Sequence, residues 1–352
     1  MEERNFRPLT LNDFIGQSRI KQTLGLMLNS ARLQDAALEH VCFYGGPGLG
    51  KTSLAGIIAA EMASVLREVS APSIERLGDL VAILVGLRER DVLFVDEIHR
   101  LRADISETLY SAMEDFRANI PVKGGSAETG AVPLSLPLKR FTLVGATTDF
   151  GLLPGPLRAR FGHLFALDLY SVEELEQVVL RAAGLSDVLI DRASAVAIAE
   201  RSRGTPRIAL RLFRRAYDVA VSLSEDVTAE VTAQAMSMLE IDDLGLDEAD
   251  RRYLAALAQT YNGGPVGPKS LAASIGFDDA TVTQAIEPWL LRAGLLARTR
   301  LGRRLTRKGW EHVGRSLGLH VPEAVLQEEP DPELEDSAMQ ETTEYTTNGG
   351  KP

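Results

Sequence analysis

The sequence predicts an α/β chain in three parts: a parallel sheet covered by helices, a small helical domain, and a C-terminal unit built as helix, turn, helix and hairpin. Three observations predict it. Short apolar runs alternate with helical spacings through the first part, in Val41 to Tyr44 then Ser53 to Met62, Val92 to Val95 then Ile105 to Phe116, and Phe141 to Gly145. Strands alternating with helices imply a parallel sheet. From Ser171 to Leu239 the strand-like runs stop, and helical spacing takes over in Glu173 to Ala183, Ala193 to Ser202 and Ile208 to Leu223. Last, seven basic residues and no acid lie between Arg292 and Lys308, just after a helix-Gly-helix pattern.

At 352 residues, with 45% hydrophobic and 25% charged residues, the composition is that of a soluble globular chain of two or three domains. No apolar run approaches the ~20 residues a membrane helix needs. The start, Met1 to Pro8, carries acids and no apolar segment, which fits neither a signal nor a transit peptide and leaves the cytoplasm as the expected location. Cys42 is the one cysteine and sits in an apolar run, where a thiol behaves as a small hydrophobe. The net charge of −11 argues at first against nucleic acid, whose binding rests on Lys and Arg. The distribution argues otherwise, because from Val321 onward nine acids face one lysine, a net −8. A basic segment followed by an acidic one points to a nucleic-acid-binding module ahead of a solvated tail, and the tail is too polar to bury a core.

The strongest single signal is Gly45-Gly-Pro-Gly48-Leu-Gly50-Lys51-Thr52. It fits the phosphate-loop pattern of G, four residues, then G-K-[ST], directly after an apolar run and before a helical one. Glycines let successive amides face phosphates, Lys51 reaches the outer phosphates, and Thr52 can hold Mg²⁺, with Ser53 following in the helix start. The second half of the site is Val92-Leu-Phe-Val-Asp96-Glu97-Ile-His99. A buried strand ending in a carboxylate supplies the aspartate for Mg²⁺, here Asp96. Glu97 is suited to take a proton from attacking water. His99 is either a hydrogen-bonded structural histidine or a catalytic one.

The pairing of Gly-Pro-Gly-Leu-Gly-Lys-Thr with Asp-Glu-Ile-His-Arg100-Leu resembles the RuvB family of AAA+ ATPases. The match continues in Arg7-Pro-Leu-Thr, Phe14-Ile-Gly-Gln17, Ile74 to Leu80, Ala112 to Phe116, Gly145-Ala-Thr-Thr148, Pro156 to Gly162 and Arg203-Gly-Thr-Pro-Arg207. It spans roughly residues 6 to 317, and an ordered set of this kind is far more specific than the phosphate loop alone. The resemblance implies an AAA+ P-loop NTPase domain over 1–168 with a hairpin insertion at about 117–140. It further implies a small helical lid domain over 169–243 and a C-terminal winged-helix domain over 244–320; composition makes 321–352 a disordered acidic tail. The resemblance implies ATP and Mg²⁺ as cofactors. Thr147 or Thr148, with Thr147 first, would sense the γ-phosphate. Arg160 resembles an arginine finger offered to the neighbouring subunit's ATP, with Arg158 the alternative. Arg207 resembles the second sensor, which ties nucleotide state to the lid. Phe14, Ile15 and Tyr170 would line the adenine pocket beside Gly45, Gly48 and Gly50.

Gly124-Gly125 and Gly130, between two extended stretches, read as a protruding hairpin. In the family a hairpin here docks on RuvA, the junction-binding protein, and the matching positions are Val132 and Leu134. This sequence departs from the family in Pro133, which interrupts the strand, and in the longer connection Leu138-Lys139-Arg140. Further on, Lys269 to Gly276 and then Asp278 to Leu291 read as helix, Gly turn, helix, and Gly294 to Thr306 as a basic hairpin, together a winged helix. Asp278 and Asp279 at the start of the second helix would repel phosphate, which makes the wing the expected DNA surface, with Arg300 and Arg303 contacting the backbone.

The resemblance implies a hexameric ATPase that moves duplex DNA and drives branch migration of Holliday junctions in recombination and repair. A RuvA-like protein would hold the junction and a RuvC-like resolvase would act indirectly. The competing reading is a clamp-loader-like or initiator ATPase that uses ATP as an assembly switch. A DNA-binding regulator with a degenerate nucleotide site is disfavoured because Lys51, Asp96 and Glu97 are all present.

Overall fold

The computed structural model describes residues 6–120 and 134–322. The acidic tail and the hairpin positions 121–133, Val132 among them, lie outside the described residues. The chain divides into two units, 1–235 and 236–352.

The first unit holds α1 (Ser18–Leu33), β1 (Val41–Tyr44), α2 (Lys51–Glu61), β2 (Leu66–Ser70), α3 (Leu77–Val85), β3 (Val92–Asp96), α4 (Ala103–Glu114), β4 (Arg117–Ile120), β5 (Leu134–Pro137), β6 (Thr142–Thr147), α5 (Gly155–Arg158) and β7 (His163–Ala166). Five strands form one sheet in the order β2-β3-β6-β1-β7, with every pairing parallel. All six residues of β6 and the first four of β3 are buried. Strands covered on both faces read as continuous apolar runs, which is why the sequence shows them so plainly. β4 and β5 pair antiparallel outside that sheet, Ala118 opposite Leu136 and Ile120 opposite Leu134, so the inserted segment does rise on two strands. The helical run read as Ile105 to Phe116 ends earlier, at Glu114, and Phe116 takes φ 51° as the chain turns into β4.

His40 stitches this layer from inside. Leu143 N–H donates to its Nδ1 at 2.9 Å; with Nδ1 an acceptor, Nε2 is the donor to the Met113 carbonyl at 3.1 Å. Burial holds its pKa below the ordinary value, consistent with that neutral ring. Burial likewise pushes the Cys42 thiol up to about 12, so it is an inert core residue, as expected.

The same unit continues in α6 (Val172–Leu185), α7 (Arg192–Glu200) and α8 (Pro206–Leu223), and α9 (Ala229–Met238) spans the boundary between the two units. Ser171 and Glu174 form a capping box at the start of α6. Pro206 opens α8, where its missing N–H costs no bond. Buried Ala209, Leu212, Phe213, Ala216, Val219 and Ala220 make one stripe along α8, the apolar face that packs on α6.

In the second unit, α10 (Glu248–Gln259), α11 (Pro268–Ile275) and α12 (Asp279–Thr281) are followed by a π-helical turn, Val282–Ile286, then α13 (Glu287–Arg292), β8 (Leu296–Thr299), β9 (Gly302–Leu305) and α14 (Arg307–Leu317). The second helix of the helix-turn-helix is therefore broken. Pro288 has no N–H for the regular ladder, and the π-helical turn directly precedes its stretch. Asp278 caps α12 by accepting Thr281 N–H at 2.9 Å. The acid that disfavoured this helix as a phosphate reader thus has a structural task.

Candidate active site

Strand register sets the site. Tyr44 lies opposite Thr147 and Val95 opposite Gly145, so the segments leaving β1, β3 and β6 emerge together at the carboxyl edge of the sheet. They meet the start of α8 around a cleft of about 200 Å³. Gly48, Gly50, Lys51, Thr52, Ser53, Asp96, Glu97, Thr148, Phe14, Ile15, Tyr170 and Arg207 all line it. Gly45 is not among the lining residues; its carbonyl accepts from Lys51 Nζ at 2.6 Å, as that of Gly46 does at 2.8 Å.

The loop needs its glycines. Gly48 has φ 80°, and a Cβ there would lie 2.8 Å from both Arg207 Cβ and Thr205 Cγ2. Gly50 has φ 106°, and a Cβ would lie 2.9 Å from the Phe14 ring. The first contact joins loop to lid, since Arg207 N–H also donates to the Gly48 carbonyl at 3.4 Å. The second places buried Phe14 against the loop, beside buried Tyr170, whose hydroxyl donates to the Leu49 carbonyl at 3.2 Å. Burial, ahead of the Glu174 charge, pushes the Tyr170 hydroxyl well up, so it remains a neutral donor. Burial pulls the Lys51 ammonium down while the Glu97 and Asp96 charges oppose that shift.

Glu97 adopts φ 50° and donates its N–H to Asp96 Oδ1 at 3.0 Å. Its carboxylate accepts from the Thr148 hydroxyl at 2.9 and 3.1 Å and from Thr148 N–H at 3.2 Å. This corrects the preference for Thr147. Successive strand residues point to opposite faces, so Thr147 turns inward, fully buried, while Thr148 reaches the cleft. The Thr147 hydroxyl donates to the Asp149 carbonyl at 2.9 Å and lies 2.7 Å from His99 Nδ1. With its one hydrogen on Asp149, it accepts from His99 Nδ1–H, and the same nitrogen lies 3.4 Å from Glu97. His99 therefore braces the β6 end and lies beside the Glu97 carboxylate.

Arg160 is not among the residues lining its own chain's cleft. It donates to the Pro156 carbonyl at 2.7 Å and to Glu114 at 3.1 Å, over the Tyr110 ring. Arg158 turns inward to the Phe150 and Leu153 carbonyls and lies over the Phe150 ring. In this ion pair the Glu114 side chain is 54% exposed and that of Arg160 23%. Sequence reading missed part of the cleft, namely the entering segment Phe6, Arg7, Pro8 and Asp13 and, on α6, Arg181. Arg181 donates to the Phe6 carbonyl at 2.7 Å; its partner is 175 positions away, so no local spacing announces it.

Thr52 and Asp96 offer a hydroxyl and a carboxylate oxygen to the same cleft. No group of three or more His, Cys, Asp or Glu side chains that could hold a metal occurs among the described residues. Two oxygen donors fit Mg²⁺, which keeps waters and takes phosphate oxygens instead of a full protein cage.

In the winged helix, Arg300 lies exposed in the turn between β8 and β9. Arg303 does not join it at the surface, which corrects the expectation of a paired backbone contact. Its guanidinium reaches fully buried Glu287 through Nε at 3.0 and 3.1 Å and Nη2 at 2.9 Å. Arg298 adds a contact at 3.3 Å and the Tyr253 hydroxyl donates at 3.1 Å. Removing one partner of a buried pair costs ~3 kcal/mol or more. Arg303→Ala is therefore expected to lower the unfolding free energy by about that much, while Arg300→Ala stays within ~0.5 kcal/mol of wild type and makes the salt slope of DNA affinity shallower by about one unit. Denaturant unfolding and salt titration of both variants check this, and an Arg303→Ala chain of wild-type stability would return that residue to the surface role.

Leu134 lies at the start of β5, 51% exposed; its companion Val132 lies outside the described residues.

The chain matches the Holliday junction DNA helicase RuvB P-loop domain over residues 6–167, the RuvB AAA lid domain over 170–242, and the RuvB C-terminal winged helix domain over 243–314. The Holliday junction branch migration complex subunit RuvB of an Arthrobacter species is 49% identical over 350 residues, covering 99% of this chain and 95% of that one. The protein of the same description from Streptomyces avermitilis is 50% identical over 313 residues, covering 89% and 87%. Among solved structures, the Thermotoga maritima RuvB Holliday junction branch migration motor superposes with a TM-score of 0.78 at 45% identity, covering 90% of this chain and 100% of that one.

Proposed function

The chain belongs to the RuvB family, and from that premise we propose that it is an ATP-hydrolysing motor that moves duplex DNA to drive branch migration of Holliday junctions. The observation that carries this reading is one cleft in which Lys51, Glu97, Thr148 and the lid residue Arg207 all meet. A nucleotide held there touches the sheet edge and the lid together, so a change in its phosphates is felt by both.

ATP is the substrate. Its phosphates lie on the amides of the loop 45–50 and on Lys51, and Phe14, Ile15 and Tyr170 take the base. Thr52 and Asp96 would hold Mg²⁺, which would supply positive charge to offset that of the phosphates. Glu97 takes a proton from water as that water's oxygen bonds to the γ-phosphorus and the bond to the bridging oxygen breaks, giving ADP and phosphate. Thr148 holds the Glu97 carboxylate in place through the two hydroxyl contacts. Arg160 of a neighbouring subunit in a hexameric ring stabilises the charge spread over the transferring group, and Arg207 passes the change to the lid.

The family's relatives are described as subunits of a branch migration complex. For this chain the complex includes junction DNA, a RuvA-like protein contacting the hairpin through Val132 and Leu134, and indirectly a RuvC-like resolvase. No helix among the described residues is long and apolar enough to cross a membrane, and the cytoplasm is the proposed location.

The test is a labelled four-way junction with homologous arms, incubated with the chain, a RuvA-like protein, ATP and Mg²⁺. The expected result is conversion to two duplexes that stops with Lys51→Ala. A chain that hydrolyses ATP and binds the junction yet leaves it undivided would be an assembly switch and not a motor.

A further inference from the structure

Within the first unit, a second and more open cleft of about 420 Å³ lies where two short turns pack on each other, Ala71–Ser73 after β2 and Ile98–Arg100 after β3. Its lining includes Pro72, Glu75, Arg76, Arg100 and Arg102. The segments alternate sharply. Ile74, Ile98 and Leu101 are buried in the core beneath, 3%, 1% and 9% exposed, while Arg76, Arg100 and Arg102 all stand at the surface. The buried neighbours fix the backbone, so the guanidiniums rise from a rigid base. Arg102 is partly committed, donating to the Glu75 carbonyl at 3.2 Å and pairing with Asp104 at 3.1 Å. Arg76 and Arg100 have no ion-pair partner among the described residues. With Asp104 on Arg102, these two cations face Glu75 as the one other carboxylate of the lining.

We propose that the Arg76–Arg100–Arg102 cleft contacts the phosphodiester backbone of duplex DNA, as a phosphate site additional to the wing and linked to the nucleotide site through Glu97. The inference rests on the motor reading given above. Guanidiniums match phosphate in geometry and charge. The cleft is open to water, where a small free anion gains little from exposed arginines; a polyanion gains much more, because each neutralised phosphate releases a condensed counterion. The link to the nucleotide follows from chain connectivity. Glu97 immediately precedes the turn Ile98–Arg100, and its carboxylate is held by Thr148 and faces the cleft that takes ATP. Ile98 and His99 separate Glu97 from Arg100, and the Arg100 N–H donates to the Glu97 carbonyl at 2.8 Å, so a shift of Glu97 between nucleotide states is passed to Arg100.

The experiment uses the full chain with Arg76→Ala and Arg100→Ala together, and Arg300→Ala in parallel. Affinity for a short duplex is measured across a salt series, and ATP hydrolysis with and without DNA. The expected result for the double variant is a salt slope shallower by about two units, a DNA-stimulated rate reduced severalfold, and a basal rate unchanged; Arg100→Lys restores part of the slope. An unchanged slope in the double variant while Arg300→Ala changes its own overturns the cleft site and leaves the motor reading standing. Loss of inorganic-phosphate binding without any change in duplex affinity would make it a small-anion site and also overturns it. A wild-type chain that binds no duplex at all removes both this site and the motor reading.

Discussion

Replacing Glu97 with Gln leaves ATP binding close to wild type and lowers turnover by ~10²- to 10⁴-fold, the range that a positioned general base contributes. The geometry makes this a clean substitution. Thr148 donates to Glu97 through its hydroxyl and its N–H, and an amide oxygen can accept both, so the side chain keeps its place. What the amide loses is proton affinity, which matters only as water attacks. Lys51→Ala gives the opposite pattern. That ammonium is held at the loop mouth by the Gly45 and Gly46 carbonyls, where phosphate oxygens compete for it in the ground state, so its removal weakens binding itself. Nucleotide affinity and hydrolysis, measured side by side on both variants, decide the matter. A Glu97→Gln chain hydrolysing at more than a tenth of the wild-type rate takes the base role away from Glu97.

The centre of the sheet and the phosphate loop were legible because burial on both faces writes β1, β3 and β6 as apolar runs, and because the loop's glycines serve backbone angles few other residues adopt. The edge strands were not. β2 reads Leu-Arg-Glu-Val-Ser with three of its five residues exposed, and β7 begins on an exposed His163, so neither carries a run that stands out. Site residues followed the same division. Lys51, Asp96 and Glu97 are fixed by position along one loop or one strand end, whereas Thr147 against Thr148 depends on which way a single residue points at the last step of β6. Arg303 was misplaced for a related reason. Its partner Glu287 lies sixteen positions earlier on another element, and a basic run gives no sign of which member folds inward onto a buried carboxylate. The basic residues that remain outside had to be found from the packing, as Arg76 and Arg100 were.

Arg160→Ala is expected to bind ATP normally and to hydrolyse it ~10³- to 10⁵-fold more slowly, because a finger stabilises charge in the transition state and contributes little before it. A finger that acts on a neighbour is expected to stand away from its own chain's nucleotide site. Arg160 does not line its own cleft, and its contacts with Pro156 and Glu114 are ones a neighbouring phosphate would outbid in charge and number. Arg158 is a poorer donor to a neighbour, since its guanidinium is turned onto the Phe150 and Leu153 carbonyls. Mixing tests the assignment across subunits. Lys51→Ala subunits keep an intact Arg160, and Arg160→Ala subunits keep an intact loop, so a ring containing both places a working loop against a working finger at some interfaces. Hydrolysis should partly return on mixing two preparations that are each inactive. Mixed rings that form, as shown by differential tagging, and yet stay as inactive as their components would place Arg160 in its own chain's site; wild-type hydrolysis by Arg160→Ala alone would pass the finger to Arg158.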